Sequence, residues 1–166
     1  MTFVSVGNAK HPFHRLLKGV AVIASKLPQP VVVQHGHTPF ESPLCKAKAF
    51  MNMEEFILNI KNAELLIMHA GAGSVINTIE AGKVPVVMPR RASFGEHVND
   101  HQVEFAEALA RACRVIMIES PEELESAVAK SLSVKEAAKL MDRGSGMVSL
   151  VRNKLAEIAS KVDMGR

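Results

Sequence analysis

The sequence predicts an α/β fold, a doubly wound parallel sheet, and three observations lead there. Short β-rich runs alternate with helical patterns along the chain, which requires crossover connections between parallel strands. The strand candidates are apolar throughout, as in Val31-Val32-Val33 and Leu65-Leu66-Ile67-Met68, the pattern of strands buried on both faces. The polar and glycine-bearing segments 7–11, 34–40, 69–74 and 89–101 each follow a strand. They would therefore meet at the carboxyl edge of the sheet, where such folds bind ligands.

The elements follow in order. Thr2 to Val6 is a β-rich run closed by Gly7. Pro12 suits the first position of a helix, and Leu16, Leu17, Val20, Ala21, Ala24 and Leu27 then recur at helical spacing. Val31–Val33 is the second strand, and 35–50 reads as a loop carrying Gly36, Pro39 and Pro43. Met53–Lys61 forms a helix presenting Phe56, Ile57 and Ile60, and Leu65–Met68 is the next strand. A helix from about Ser74 to Ala81 ends at Gly82, and Val84–Met88 is a strand with Pro85 near its start. Asn99 and Gln102 resemble a capping box for a helix reaching Arg111, and Val115–Ile118 is the last strand. Two further boxes, Ser120–Glu123 and Ser133–Glu136, would open two helices, with Ser145-Gly146 dividing the final pair.

With 166 residues, 48% of them hydrophobic, the chain can bury one core, and a single domain spanning 1–166 is expected. Cys45 and Cys113 lie far apart with no C-x-x-C pairing, the pattern of core thiols in a reducing cytoplasm. MTFVSVG reads as a strand rather than a secretory leader, and no apolar run is long enough to span a bilayer. The formal charge of +3 is mild, with no Lys/Arg run and no aromatic platform, which argues against nucleic acid. An anionic small ligand, or an acidic membrane surface reached through a partner, fits the same balance.

Two segments carry chemistry. In HAGAGS, Gly71 and Gly73 let the backbone approach a ligand, and Ser74 offers a hydroxyl at a helix start, where unpaired N–H groups favour a phosphate. The spacing matches neither the dinucleotide nor the P-loop pattern, and a plain tight turn is the alternative. Gly73, Asn77 and Glu80 share one face of the following helix, either as a polar stripe toward a ribose or as a solvated face. In RRASFGEHVNDHQ, Arg90 and Arg91 could neutralise phosphate, while Asn99, His101 and Gln102 offer the mixed donors and acceptors that sugar hydroxyls require. His97 and His101 stand four apart, but no H-E-x-x-H pattern or third ligand accompanies them, so no metal is expected. His35, His37 and His69 read equally as ordinary polar residues.

HAGAGS, IEAGKVPVVMP and NDHQVEFAEAL together resemble glycosyltransferase family 28 in its C-terminal, donor-binding half. Within it the resemblance extends to the small catalytic subunits of two-subunit UDP-N-acetylglucosamine transferases and to bacterial exopolysaccharide glycosyltransferase subunits. It covers roughly residues 2–119 and includes FVSVG and VVVQHG. The fold implied is a single Rossmann-like lobe of a GT-B type enzyme. The resemblance implies that Gly7, Gly71, Gly73 and Ser74 surround the nucleotide diphosphate, and that His101 and Gln102 face the donor sugar. Counting from Gly71, the family's ribose-binding glutamate falls on Asn77, which leaves Asn77 and Glu80 as the ribose candidates.

The function implied is the donor-binding subunit of a UDP-sugar glycosyltransferase (UDP-N-acetylglucosamine or another UDP-hexose) acting on a lipid-linked acceptor in glycan or polysaccharide synthesis. The donor is a substrate, and no separate cofactor is expected. A membrane-anchored partner subunit would supply the acceptor lobe and the catalytic base, holding the chain at the cytoplasmic face of a membrane. The helical segment 133–166 is the candidate docking element, with its own core as the alternative, and a homo-oligomer is compatible with the sequence. The competing function is a non-catalytic nucleotide-sugar-binding or docking subunit.

Overall fold

The computed structural model describes residues 1–140, with side chains to Ser133. Six strands form one sheet in the order β3-β2-β1-β4-β5-β6, and every neighbouring pair is parallel. The strands are β1 (Thr2–Ser5), β2 (Val31–Gln34), β3 (Cys45–Lys48), β4 (Leu65–His69), β5 (Val86–Met88) and β6 (Ile116–Met117). Five α-helices connect or follow them: α1 (His14–Ile23), α2 (Met53–Asn62), α3 (Ala72–Glu80), α4 (His101–Arg111) and α5 (Leu124–Leu140).

The apolar strands are buried on both faces because alternate residues point to opposite sides. Val4, Val33, Ile67 and Val86 face a cluster with Leu16, Leu17 and Val20 of α1 and Leu124 and Val128 of α5. On the other side, Phe3, Leu66 and Met68 meet Ile60 of α2, while Val87 meets Val75 of α3 and Phe105 and Leu109 of α4. Helices thus cover both faces, as the alternation requires. The chain enters at β1, winds outward to β3, then returns through α2 to lay β4 against the free side of β1. That reversal between β1 and β4 is where the connections leave toward opposite sides and open a crevice.

Several expectations are corrected. Residues 45–48 form an edge strand rather than part of a loop, paired along its length to β2. Three of its four residues are exposed, so the segment CKAK lacks the apolar pattern of the inner strands. Pro12 precedes α1 by two residues, and Phe13 occupies the N-cap. Asn99 and Gln102 form no capping box: α4 begins at His101, and the Gln102 side chain accepts from the main-chain N–H of Arg90 instead (3.2 Å). The Ser120 box does form, its Glu123 carboxylate accepting from the Ser120 N–H at 2.9 Å. Ser133 opens no helix; α5 runs through it, and its hydroxyl bonds back to the Lys130 carbonyl (2.8 Å). Cys45 is half-buried and packs against the edge of the core, whereas Cys113 is exposed and is not a core thiol. The proposed boundary at Ser145-Gly146 lies outside the described residues, as does most of the 133–166 segment.

Candidate functional site

The crevice is built from the ends of β1, β2 and β4. Gln34, the last residue of β2, is buried and holds the β1 turn with both ends of its amide. Its oxygen accepts from the Ser5 hydroxyl (2.6 Å) and the Gly7 N–H (3.2 Å). Its nitrogen donates to the Gly7 carbonyl, the Asn8 side chain and the Ala49 carbonyl, each at 3.1 Å. A buried amide satisfied this fully fixes the local backbone rather than adding net binding energy.

His69 ends β4, and its ring lies between the two turns. A methyl carbon added to Gly7 would stand 2.4 Å from its Nε2, and one added to Gly71 would stand 2.1 Å away. Those two glycines are therefore required by the imidazole, and Gly7 also holds a positive φ of 72°. Burial, with the nearby Arg90 and His97 charges adding to it, lowers the His69 pKa from 6.5 to about 4 despite a contact to the Ser5 carbonyl. The ring is neutral at physiological pH.

Gly71 is the N-cap of α3 and no side chain caps the helix. The first intrahelical bond runs from Val75 N–H to the Gly71 carbonyl (3.0 Å). The N–H groups of Ala72, Gly73 and Ser74 therefore have no partner within the helix and carry its positive dipole end. They border a cleft of about 290 Å³ whose other walls are Gly7, Asn8 and Gln34, the side chain of Asn77, and an apolar flank of Met51, Met53 and Phe56. Nothing lies within 4 Å of a side chain placed at Gly73, so that position opens directly into free space.

A second hollow of about 240 Å³ adjoins the first across Gly71 and Ala72. His97, Asn99, His101 and Gln102 supply its polar wall, and Phe105 also lines it. The Asn99 amide oxygen accepts from the His101 N–H (3.3 Å), and Asp100 ties the same loop down by accepting from the Ala92 N–H (2.8 Å).

The structure thus brings Gly7, Gly71, Gly73, Ser74 and Asn77 together at one cleft and Asn99, His101 and Gln102 at the hollow beside it. Three expected residues fall elsewhere. Glu80 is exposed and lines neither space. Arg90 is fully buried, its guanidinium bonded to the carbonyls of His11, Glu96 and Val6, and cannot reach a diphosphate. Arg91 lines neither space and pairs with Glu119 at 3.0 Å. Gln34 and His69 belong to the cleft, within segments expected at this edge but with no role assigned to either side chain, and the Met51–Phe56 flank joins them without having been expected. A polar residue closing an otherwise apolar strand was the available signal for the first two. Among the described residues, no group of three or more His, Cys, Asp or Glu side chains is placed to hold a metal ion. None of the described helices is long and apolar enough to cross a membrane.

A bare helix N-terminus at the switch point of a parallel sheet, with polar side chains one step further along, is the arrangement for an anion with an attached polar group. The family model for the glycosyltransferase family 28 C-terminal domain matches residues 1–162. The chain belongs to that family. No curated protein matches the chain. Among solved structures, the family 28 domain is similar to one described as the glycotransferase of kitacinnamycin, with 20% identity and a TM-score of 0.63. The likeness covers 92% of this chain and 39% of the other, so this chain spans less than half the length of the structure it resembles in fold. The doubly wound α/β sheet expected from the strand–helix alternation, and the Rossmann-like fold that the resemblance implied, are the architecture observed.

Proposed function

We propose that this domain binds the UDP-sugar donor of a glycosyltransferase that acts on a lipid-linked acceptor, and that it works with a second, acceptor-binding lobe. The observation that carries the reading is the uncapped start of α3 opening into the cleft at the β1/β4 crevice of a family 28 domain. The diphosphate would lie against the N–H groups of Ala72, Gly73 and Ser74, with the Ser74 hydroxyl as a further donor. Asn77, which lines the cleft, is assigned to the ribose in preference to Glu80, which does not. The apolar flank of Met51, Met53 and Phe56 offers a face to the base. The sugar would occupy the adjoining hollow, within reach of Asn99, His101 and Gln102. UDP-N-acetylglucosamine is the proposed donor, with other UDP-hexoses as its competitors.

Chemically, this domain's share is stabilisation of the leaving diphosphate. As the glycosidic bond breaks, negative charge grows on the phosphate oxygen, and fixed N–H dipoles meet it without reorganising. The base that deprotonates the acceptor is assigned to the partner lobe, which is also assigned the membrane attachment. Binding is tested by thermal unfolding with UDP, since a ligand that binds only the folded state raises its midpoint. UDP is expected to raise the midpoint of the native chain. Gly73→Leu, which fills open space rather than packed core, is expected to keep the fold and abolish the shift. No shift with millimolar UDP in the native chain would defeat the reading.

A further inference from the structure

Arg90 follows β5 and is fully buried, and its polar atoms reach both halves of the site. Nη2 donates to the carbonyl of Val6, the residue before Gly7, at 2.8 Å. Nη1 donates to the His11 carbonyl (2.6 Å) in the same β1–α1 connection and to the Glu96 carbonyl (3.1 Å) in the β5–α4 connection. Its main-chain N–H donates to the side chain of Gln102, which lines the second hollow. The guanidinium also lies over the Phe13 ring, 4.7 Å from its centroid. Arg15 holds the far side of the same loop, bonding both oxygens of the buried Glu96 carboxylate (3.1 and 2.9 Å) and the Pro89 carbonyl (2.9 Å). The Glu96 carboxylate in turn accepts from the Arg91 N–H (3.1 Å).

We propose that Arg90 is a positioning residue that sets the spacing between the two hollows, so that a ligand bridging both depends on it while a ligand filling only the first does not. One planar fork reaches carbonyls of two loops that come from distant parts of the chain. A lysine carries the same charge but concentrates its donors on one atom, and cannot fan out to all three carbonyls. Burial lowers the Arg90 pKa to about 10, with Glu96 opposing the shift, so the group stays cationic at neutral pH. The proposal rests on the donor-site reading above, in which the sugar lies beyond the diphosphate.

The test compares dissociation constants for UDP and for UDP-N-acetylglucosamine, measured by calorimetry on the full chain. In Arg90→Lys the ratio of the two constants should move against the UDP-sugar by about tenfold, the equivalent of one good hydrogen bond, while UDP itself changes by less than about twofold. Arg15→Lys, at a partly exposed position that loosens Glu96 from the same loop, should move the ratio in the same direction and less. Leu27→Ala removes buried apolar contact without touching either loop and serves as the control for general destabilisation; it should leave the ratio unchanged. Equal ratios in Arg90→Lys, Arg15→Lys and the control would overturn the positioning role. If Arg90→Lys does not fold, Arg15→Lys alone decides. A native chain that binds neither ligand would instead sink the donor-site reading itself, and this proposal with it.

Discussion

At the scale of single residues, His69 shows how a group can shape a site and tie its stability to pH. Its ring fixes where Gly7 and Gly71 must be glycine, so the turns that frame the cleft are complementary to a neutral imidazole. The unfolded chain binds a proton at 6.5, whereas the folded chain binds it at about 4. Between those values the unfolded state holds more protons, so stability falls as pH drops through that window and is complete above it. The loss from this residue approaches about 3 kcal/mol at the acid end. Denaturant midpoints followed from above pH 6.5 down to 4 should decline in the native chain, and His69→Asn should remove a large part of that decline. Identical slopes in the two proteins would show that His69 is not held neutral by its surroundings.

At the scale of elements, α3 and α4 divide the work: one start faces the cleft and the other the hollow beside it. Replacing His101 or Gln102 by Ala should therefore weaken UDP-sugar binding by about 0.5–1.5 kcal/mol per lost hydrogen bond while UDP binding barely changes. Equal losses for both ligands would misplace the sugar. The positions of these helices were legible because apolar strands and periodic helices are local patterns. Gly71, Gly73, Ser74 and Asn77 were legible for the same reason, lying within one turn and the helix after it. The strand at 45–48 was not, since an exposed edge strand takes its conformation from main-chain pairing to β2 rather than from its own side chains. Arg90 was misread because its partners at Val6 and His11 are remote in sequence, and a loop arginine beside a phosphate motif looks the same in sequence whether it is buried or free. Gln34 was legible only as a polar residue closing an apolar strand, since its contacts to Ser5, Gly7 and Ala49 are remote in sequence.

At the scale of the whole molecule, the parallel sheet collects both hollows at its carboxyl edge. Both hollows lie at loops that follow strands β1, β4 and β5, so a donor bound there would present its sugar outward from the carboxyl edge. Transfer also needs an acceptor hydroxyl held against the anomeric carbon and a base to take its proton. Holding two reactants in place is worth about 7–11 kcal/mol of barrier, which a lobe that binds only the donor, as proposed above, would not provide. The side chains lining the hollows include His69, His97 and His101, of which His69 is buried and held neutral. The solved structure of similar fold is more than twice as long as this chain. The 166-residue chain on its own is therefore expected to bind UDP and UDP-sugar but to transfer no sugar to membranes carrying lipid-linked acceptors. Co-expression with a membrane-anchored acceptor-lobe protein should restore transfer, and Gly73→Leu in that complex should remove it again without dissociating the partners. Sustained turnover by the isolated chain would mean that this lobe carries its own base and acceptor site, and the two-lobe reading would have to be given up.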